Sequence, residues 1–303
     1  MTPNKANREY KSSVFVTLCE DKNRLVEVYN AVANKNYPPD AAVKIVTLEN
    51  ALFMGRRNDV SFLMEDRLVV MMEHQSTLCE NMPLRLLIYV DGVYEKLLNA
   101  DEKLRQALYG TKLLKIPKPE FYVFYNGKAA FPERKILKLS DAFLESPEAD
   151  KTDKESIPKR FEGLLELSVP VYNINSGFNE EMLRKSETLS GYAAFVDAAR
   201  HNTEIGYELE EAIRRAVNDC IERGILAEFL RSHSSEVINM LTAEFNLEDA
   251  LKVWKEEGIE EGIEKNRIEV AQNMLNDGLP IDAVAKYTSL PREKVIFLQG
   301  QRS

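Results

Sequence analysis

Two acids and an amide interrupt an otherwise apolar stretch of the chain. Asp59 stands at the start of NDVSFLM, and Glu73 and Gln75 close the run LVVMMEHQ. Glu73 and Gln75 are two residues apart, so on a strand they project from one face. Between the runs Asp59–Met64 and Leu68–Gln75 lie Glu65, Asp66 and Arg67, which reads as the loop of a hairpin. A three-residue loop sets Asp59 directly opposite Glu73, on the same face, with Cβ atoms about 4.5–5.5 Å apart. A two-residue loop would send the two carboxylates to opposite faces.

Two carboxylates meeting in an apolar strand pair repel each other and are costly to bury. A divalent cation between them removes that cost, lowers the pKa of a bound water and neutralises charge on an attacked phosphate. Gln75 is neutral, so it would orient the water or contact a phosphate oxygen rather than act as a base. The same spacing also fits a structural role. Asp59 would then cap a turn after Arg57-Asn58, and Glu73 would end its strand at the surface.

The elements that must position these residues are legible in outline. Residues 8–33 have helical apolar spacing, interrupted around Glu20–Asn23, before the breaker Tyr37-Pro38-Pro39-Asp40. Val43–Leu48 reads as a short strand, the two runs of the hairpin follow, and Met82–Leu98 returns to helical spacing. Phe121–Tyr125 is a strand closed by the turn pair Asn126-Gly127, and Leu164–Ile174 adds another. Ser146–Pro158 is polar and reads as a surface loop. Beyond Glu180 the pattern is helical, with segments expected at Glu187–Arg200, Leu209–Arg231 and Ser235–Glu257. Glu256–Lys265 (EEGIEEGIEK) sets Gly258 and Gly262 on one helical face, either as a weakened linker helix or as a close contact between subunits. The tail, Ile268–Leu298, reads as two or three short helices spaced like a small helix-turn-helix. Its charge is balanced and its second helix lacks a basic face, which points to packing or assembly rather than DNA reading.

The bulk properties limit the function classes. The 303 residues carry a net charge of −9, with 44% hydrophobic and 29% charged residues, the profile of a globular chain. No run reaches the roughly 18 apolar residues of a membrane span, and MTPNKANREYKSS lacks the apolar core of a secretory leader. Cys19, Cys79 and Cys220 are too dispersed for a disulfide framework or a zinc site, so a cytoplasmic location is expected. With three histidines in the chain, a metal would be held by oxygen, which means Mg2+, with Mn2+ or Ca2+ as alternatives. The charge is uneven. Residues 1–140 carry 21 Lys and Arg against 17 Asp and Glu, and residues 141–303 carry 19 against 32. A DNA contact therefore belongs to the N-terminal half, where residues 101–140 hold nine cations and four acids.

These residues resemble a known family. An Asp followed by Glu-x-Gln on adjacent strands, after an N-terminal helix, is similar to the PD-(D/E)XK nuclease superfamily in the variant where Gln replaces Lys. NDVSF, EHQSTLCENMPLRLLIYVDGVYEK and KPEFYVFYNG resemble the Rpn recombination-promoting nucleases, also grouped as YhgA-like transposases. The likeness extends through LELSVPVYNIN, SETLSGYAAFV and EAIRRAVNDCIERGILAEFL to the EEGIEEG stretch.

The resemblance implies an α/β restriction-endonuclease-like core of helix-strand-strand-strand-helix-strand order over residues 1–176. A helical region, 177–257, and a helical tail, 258–303, would follow. Asp59 and Glu73 would hold the metal, with the His74 backbone carbonyl a further ligand, and Gln75 would occupy the usual lysine position. The implied reaction is Mg2+-dependent hydrolysis of DNA phosphodiesters with little sequence preference, associated with recombination or mobile elements. Many superfamily members carry an acid in the first helix; here Glu9 is the candidate, and Ser12 stands where relatives often have Asp. Its loss would suit a second class of function, a degenerate nuclease fold acting in DNA binding or assembly. Arg56, Arg57, Arg85, Lys112 and Lys115 are candidate phosphate contacts, though Arg85 could equally pair with an acid. The His74 side chain faces away from Glu73, as a packed residue would. The apolar helical faces of the acidic half lead us to expect homo-oligomers.

Overall fold

Residues 13–47, 59–144 and 165–300 are described by a computed structural model. Two short helices come first, α1 (Val14–Cys19) and α2 (Lys22–Ala33), broken where Asp21 caps the second. The Asp21 carboxylate accepts from the amides of Asn23 and Arg24, which satisfies donors the helix itself leaves open. Strands β1 (Val43–Ile45), β2 (Val60–Met64) and β3 (Leu68–Gln75) follow, then α3 (Met82–Ala100) and the short α4 (Glu102–Ala107). Strands β4 (Lys118–Tyr125), β5 (Arg134–Lys138) and β6 (Ser168–Asn173) complete a six-stranded sheet of order β1-β2-β3-β4-β6-β5. The sheet is mixed: β3, β4 and β6 run parallel to one another, and β1–β2, β2–β3 and β5–β6 are antiparallel.

The hairpin register is the one expected from the three-residue loop. Val60 pairs with Met72 and Phe62 with Val70, so Asp59 falls opposite Glu73. The loop achieves this with Glu65 and Asp66 both at positive φ, 50° and 53°, and the Arg67 amide donating to the Met64 carbonyl at 3.0 Å. Two successive left-handed residues match the right-handed twist of the flanking strands.

Both faces of the sheet are covered, which is why its central strands are apolar throughout. On one face Met82, Leu86, Tyr89 and Val93 of α3 bury Leu63, Val69, Met71, Val123 and Val171. On the other, Phe15 of α1 meets Phe124 of β4, and Tyr29 of α2 meets Phe62 of β2 edge-on. Helices α5 (Glu180–Leu183), α6 (Glu187–Glu204) and α7 (Leu209–Glu222) follow the sheet, and Tyr192 of α6 packs on Phe15.

The chain divides into two compact units, Met1–Glu244 and Phe245–Ser303, a division that falls between the boundaries expected at 176 and 257. Helix α8 (Ala227–Asn276) runs through the division. In the second unit its C-terminal part joins α9 (Ile281–Thr288) and α10 (Arg292–Gly300) around Ala271, Leu275, Val284 and Val295.

Three expectations need correction. Residues 209–231 are not one helix: α7 ends at Glu222, with Gly224 at φ 76° and the Ile225 amide donating to the Cys220 carbonyl. That is a Schellman stop, which the apolar spacing runs across without registering. Helix α8 does not end at 257 but continues to Asn276, with one non-helical residue at His233. Strand β5 (RKILK) went unread, because its three cations mask a sheet edge. The polar stretch 146–158 lies outside the described residues.

The left-handed pair in the hairpin loop is occupied by residues that are strained there, at about 1–2 kcal/mol each. Replacing Glu65-Asp66 with Asn-Gly should stabilise the chain by about 1 kcal/mol. The expected readout is a higher urea midpoint at unchanged slope; an unmoved or lower midpoint would contradict the turn assignment.

Candidate active site

The ladder between β2 and β3 stops one pair short of the carboxylates, and side chains take over from there. The Asp59 amide donates to Glu73 Oε1 at 2.9 Å, and the His74 amide donates to Asp59 Oδ2 at 2.8 Å. Each acid thus accepts a backbone donor from the other's strand, which locks the pair across the hairpin mouth. Glu73 is 2% exposed, so the alternative in which it ends its strand at the surface does not hold. Asp59 is half-buried.

Burial raises both carboxyl pKa values above the ordinary range, and the Asp59 charge pushes Glu73 up further. Two interactions oppose this. One is the pair of amide bonds, and the other is Arg85 of α3, whose Nη2 lies 3.4 Å from Glu73 Oε2. Arg85 is itself held by the hydroxyl of Tyr89, one turn on, at 3.2 and 3.3 Å. Of the two roles open to Arg85, the structure displays the ion pair with Glu73.

Gln75 is buried on the same face as Glu73. Its Oε1 accepts from the Cys79 amide at 3.2 Å and its Nε2 points to Met82 Sδ at 2.7 Å, so it ties the strand end to the start of α3.

His74 turns to the other face. Its Nε2 lies 2.8 Å from Asn126 Oδ1, which can only accept, and 3.0 Å from the Tyr192 hydroxyl. Nε2 therefore carries the ring proton. Burial lowers the His74 pKa to about 4, leaving the ring neutral at pH 7. Asn126 is fixed in turn: its amide donates to the Gln75 carbonyl, and its own carbonyl accepts from Nη1 of the buried Arg200. Beside it, Gly127 admits no side chain, since a Cβ there would stand 1.9 Å from the Ser76 carbonyl oxygen.

The other sequence candidates are not gathered here. Lys112 and Lys115 are exposed in the segment leading to Lys118, which pairs with Leu68 at the far end of β3. Glu73 is five rungs away, about 17 Å along the strand. Glu9, Arg56 and Arg57 lie outside the described residues. Conversely, the sequence reading missed Tyr89, Tyr192 and Arg200 and took Asn126 only as a turn. A cavity of about 1250 Å³ opens elsewhere, between α5, α6 and α7, and contains none of the acids.

The donor set suits a hard divalent ion in type, being two desolvated carboxylates. It is small: among the described residues no group of three His, Cys, Asp or Glu is arranged to hold a metal. Mg2+ tolerates such a set, because it commonly keeps several waters and takes one or two carboxylates plus substrate phosphate. Compared with known protein families, curated proteins and solved structures, the chain matches none. Among the described residues no helix is long and apolar enough to cross a membrane.

The raised carboxyl pKa values have a definite sign in stability. A carboxyl whose folded pKa is raised contributes fully below its unfolded value, and that contribution is lost as pH rises through the folded value. Above about pH 7, His74 is neutral in both states and does not contribute to this trend. In EDTA, the Asp59→Asn variant should therefore out-melt the parent by a margin that widens from about pH 6 to pH 8, reaching about 2–4 °C. A margin that stays constant or narrows would mean the pair is not under electrostatic strain.

Proposed function

We propose that the chain is a metal-dependent DNA endonuclease of the PD-(D/E)XK type, related to the Rpn recombination-promoting nucleases, with Asp59, Glu73 and Gln75 as its active site. The observation that carries the reading is the opposed pair of carboxylates, Glu73 buried and Asp59 half-buried, at the end of β2 and β3. An apolar sheet does not gather two like charges without a role for them. The order of two helices, three strands, helices and a parallel fourth strand agrees with such a core.

In this reading Asp59 and Glu73 hold the ion and the His74 carbonyl faces it. The bound ion would supply a more acidic water and neutralise charge on the phosphate under attack. The backbone donors to Asp59 and Glu73 orient the acids without charging them. Arg85 balances Glu73 in the metal-free chain. Were Glu73 engaged with an ion, Arg85 would be available to a phosphate oxygen, with which a guanidinium forms charge-assisted bonds. Gln75 contributes by orientation alone, since an amide takes up no proton near neutrality. DNA is the substrate class the resemblance implies, and Mg2+ the ion, with Mn2+ or Ca2+ as substitutes.

Two observations favour a second reading, a degenerate nuclease fold that binds DNA or assembles without cutting it. Arg85 already neutralises Glu73, and the first described helix carries no acid. The two readings separate in a plasmid assay. Active enzyme should nick supercoiled DNA in Mg2+ or Mn2+, and Asp59→Ala or Glu73→Ala should reduce cleavage by at least about a hundredfold while the chain still melts cooperatively. Folded protein that cuts nothing in either ion would move the assignment to the degenerate class.

A further inference from the structure

The polar cluster behind the sheet is not accounted for by the acids themselves. We propose that Tyr192 of α6, acting through His74, and Arg200 of α6, acting through Asn126, are positioning residues for the acidic site. This inference rests on the nuclease reading.

Among the described residues the β2–β3 ladder ends at the Val60–Met72 pair, and residues 73–75 are held by β4 and by side-chain bonds. His74 is the pivot. Its amide fixes Asp59 on one face of the sheet, while its imidazole is anchored on the other by Asn126 and Tyr192. Its ring also packs edge-on against Tyr192, with centroids 5.2 Å apart. Asn126 bonds the next residue of β3 through the Gln75 carbonyl and is held by the guanidinium of Arg200. Tyr192 and Arg200 are eight residues apart, just over two helical turns, so one face of α6 reaches both ends of the cluster. Asn126, Tyr192 and Arg200 are each at most 7% exposed.

The peptide unit that donates to Asp59, and the carbonyl that follows it, therefore cannot rotate freely. Groups that orient a ligand from behind set how well it binds. Losing such a group commonly costs about 10–100-fold in metal affinity. Helix α6 lies beyond residue 176, so the working site needs more of the chain than the boundary expected from sequence.

The test uses the full chain and two readouts. The first is Mn2+ affinity by calorimetry or electron paramagnetic resonance. The second is backbone hydrogen exchange of the 73–75 strand end in metal-free protein. Tyr192→Phe removes only a hydroxyl, and Arg200→Lys keeps the charge. Each should weaken Mn2+ binding about tenfold and speed exchange at 73–75. Tyr29→Phe is the control. It deletes another buried hydroxyl, one bonded to Glu120 at 2.9 Å away from the acids, and should change neither readout.

If Tyr192→Phe and Arg200→Lys bind Mn2+ as the parent does, the inference fails and the nuclease reading stands. If Tyr29→Phe weakens binding equally, the effect is general destabilisation and the inference fails as well. A parent chain that binds no Mn2+, Mg2+ or Ca2+ would remove the nuclease reading and, with it, this inference.

Discussion

The mutual repulsion of Asp59 and Glu73 is the constraint around which the rest of the site is arranged. Two carboxylates that meet at the end of an apolar hairpin raise each other's proton affinity and lose water, and neither effect helps folding. What makes the arrangement tolerable is distributed. Two backbone amides point at the pair, Arg85 approaches from α3, and aromatic and aliphatic layers on both faces stabilise the sheet independently of the acids. Stability is thus supplied by the apolar layers, while the two acids draw on it. That separation is usual where strain is held for a purpose.

Much of this was legible from the chain alone, and for a physical reason. Strand alternation has a period of two, so loop length and the parity of 59, 73 and 75 were enough to bring the acids together. Burial on both faces made β2 and β3 continuous apolar runs, and Asn126-Gly127 marked the end of β4. The remainder failed where a signal was local but its cause was distant. Tyr192 meets His74 across 118 positions, and Arg200 meets Asn126 across 74. Nothing in SETLSGYAAFVDAARH distinguishes a tyrosine and an arginine turned inward from ordinary members of a helix. β5 was hidden by its lysines and arginine, and the stop at Gly224 by apolar spacing that continues on either side of it.

The charge asymmetry of the chain is not reproduced around the acids. Lys112, Lys115 and Lys118 lead into the sheet at the end away from Glu73, beside exposed Leu108, Tyr109 and Leu113, whereas Arg134 and Lys135 lie on β5, level with the Glu73 end of β3 but separated from it by β4 and β6. The nearest described cation to the acids is an arginine already engaged with one of them. Among the described residues the charges closest to the two acids are therefore one guanidinium and the dipoles of two backbone amides. The second compact unit has a small apolar core of its own.

The three-residue hairpin loop has an effect on sequence change that its modest size conceals. Side chains at the mouth of β3 alternate between two unlike surroundings: Glu73 and Gln75 face α3, while His74 faces α6. A substitution in the loop alters its comfort, but the loss or gain of one residue there changes parity. The shifted pairing would set Asp59 beside the aromatic layer and leave Glu73 without its opposite number, although every residue of the motif remained in the chain. Changes in the composition of this loop leave the parity intact, and changes in its length do not. The number of residues between the two acids thus decides, as much as their presence, whether they face each other.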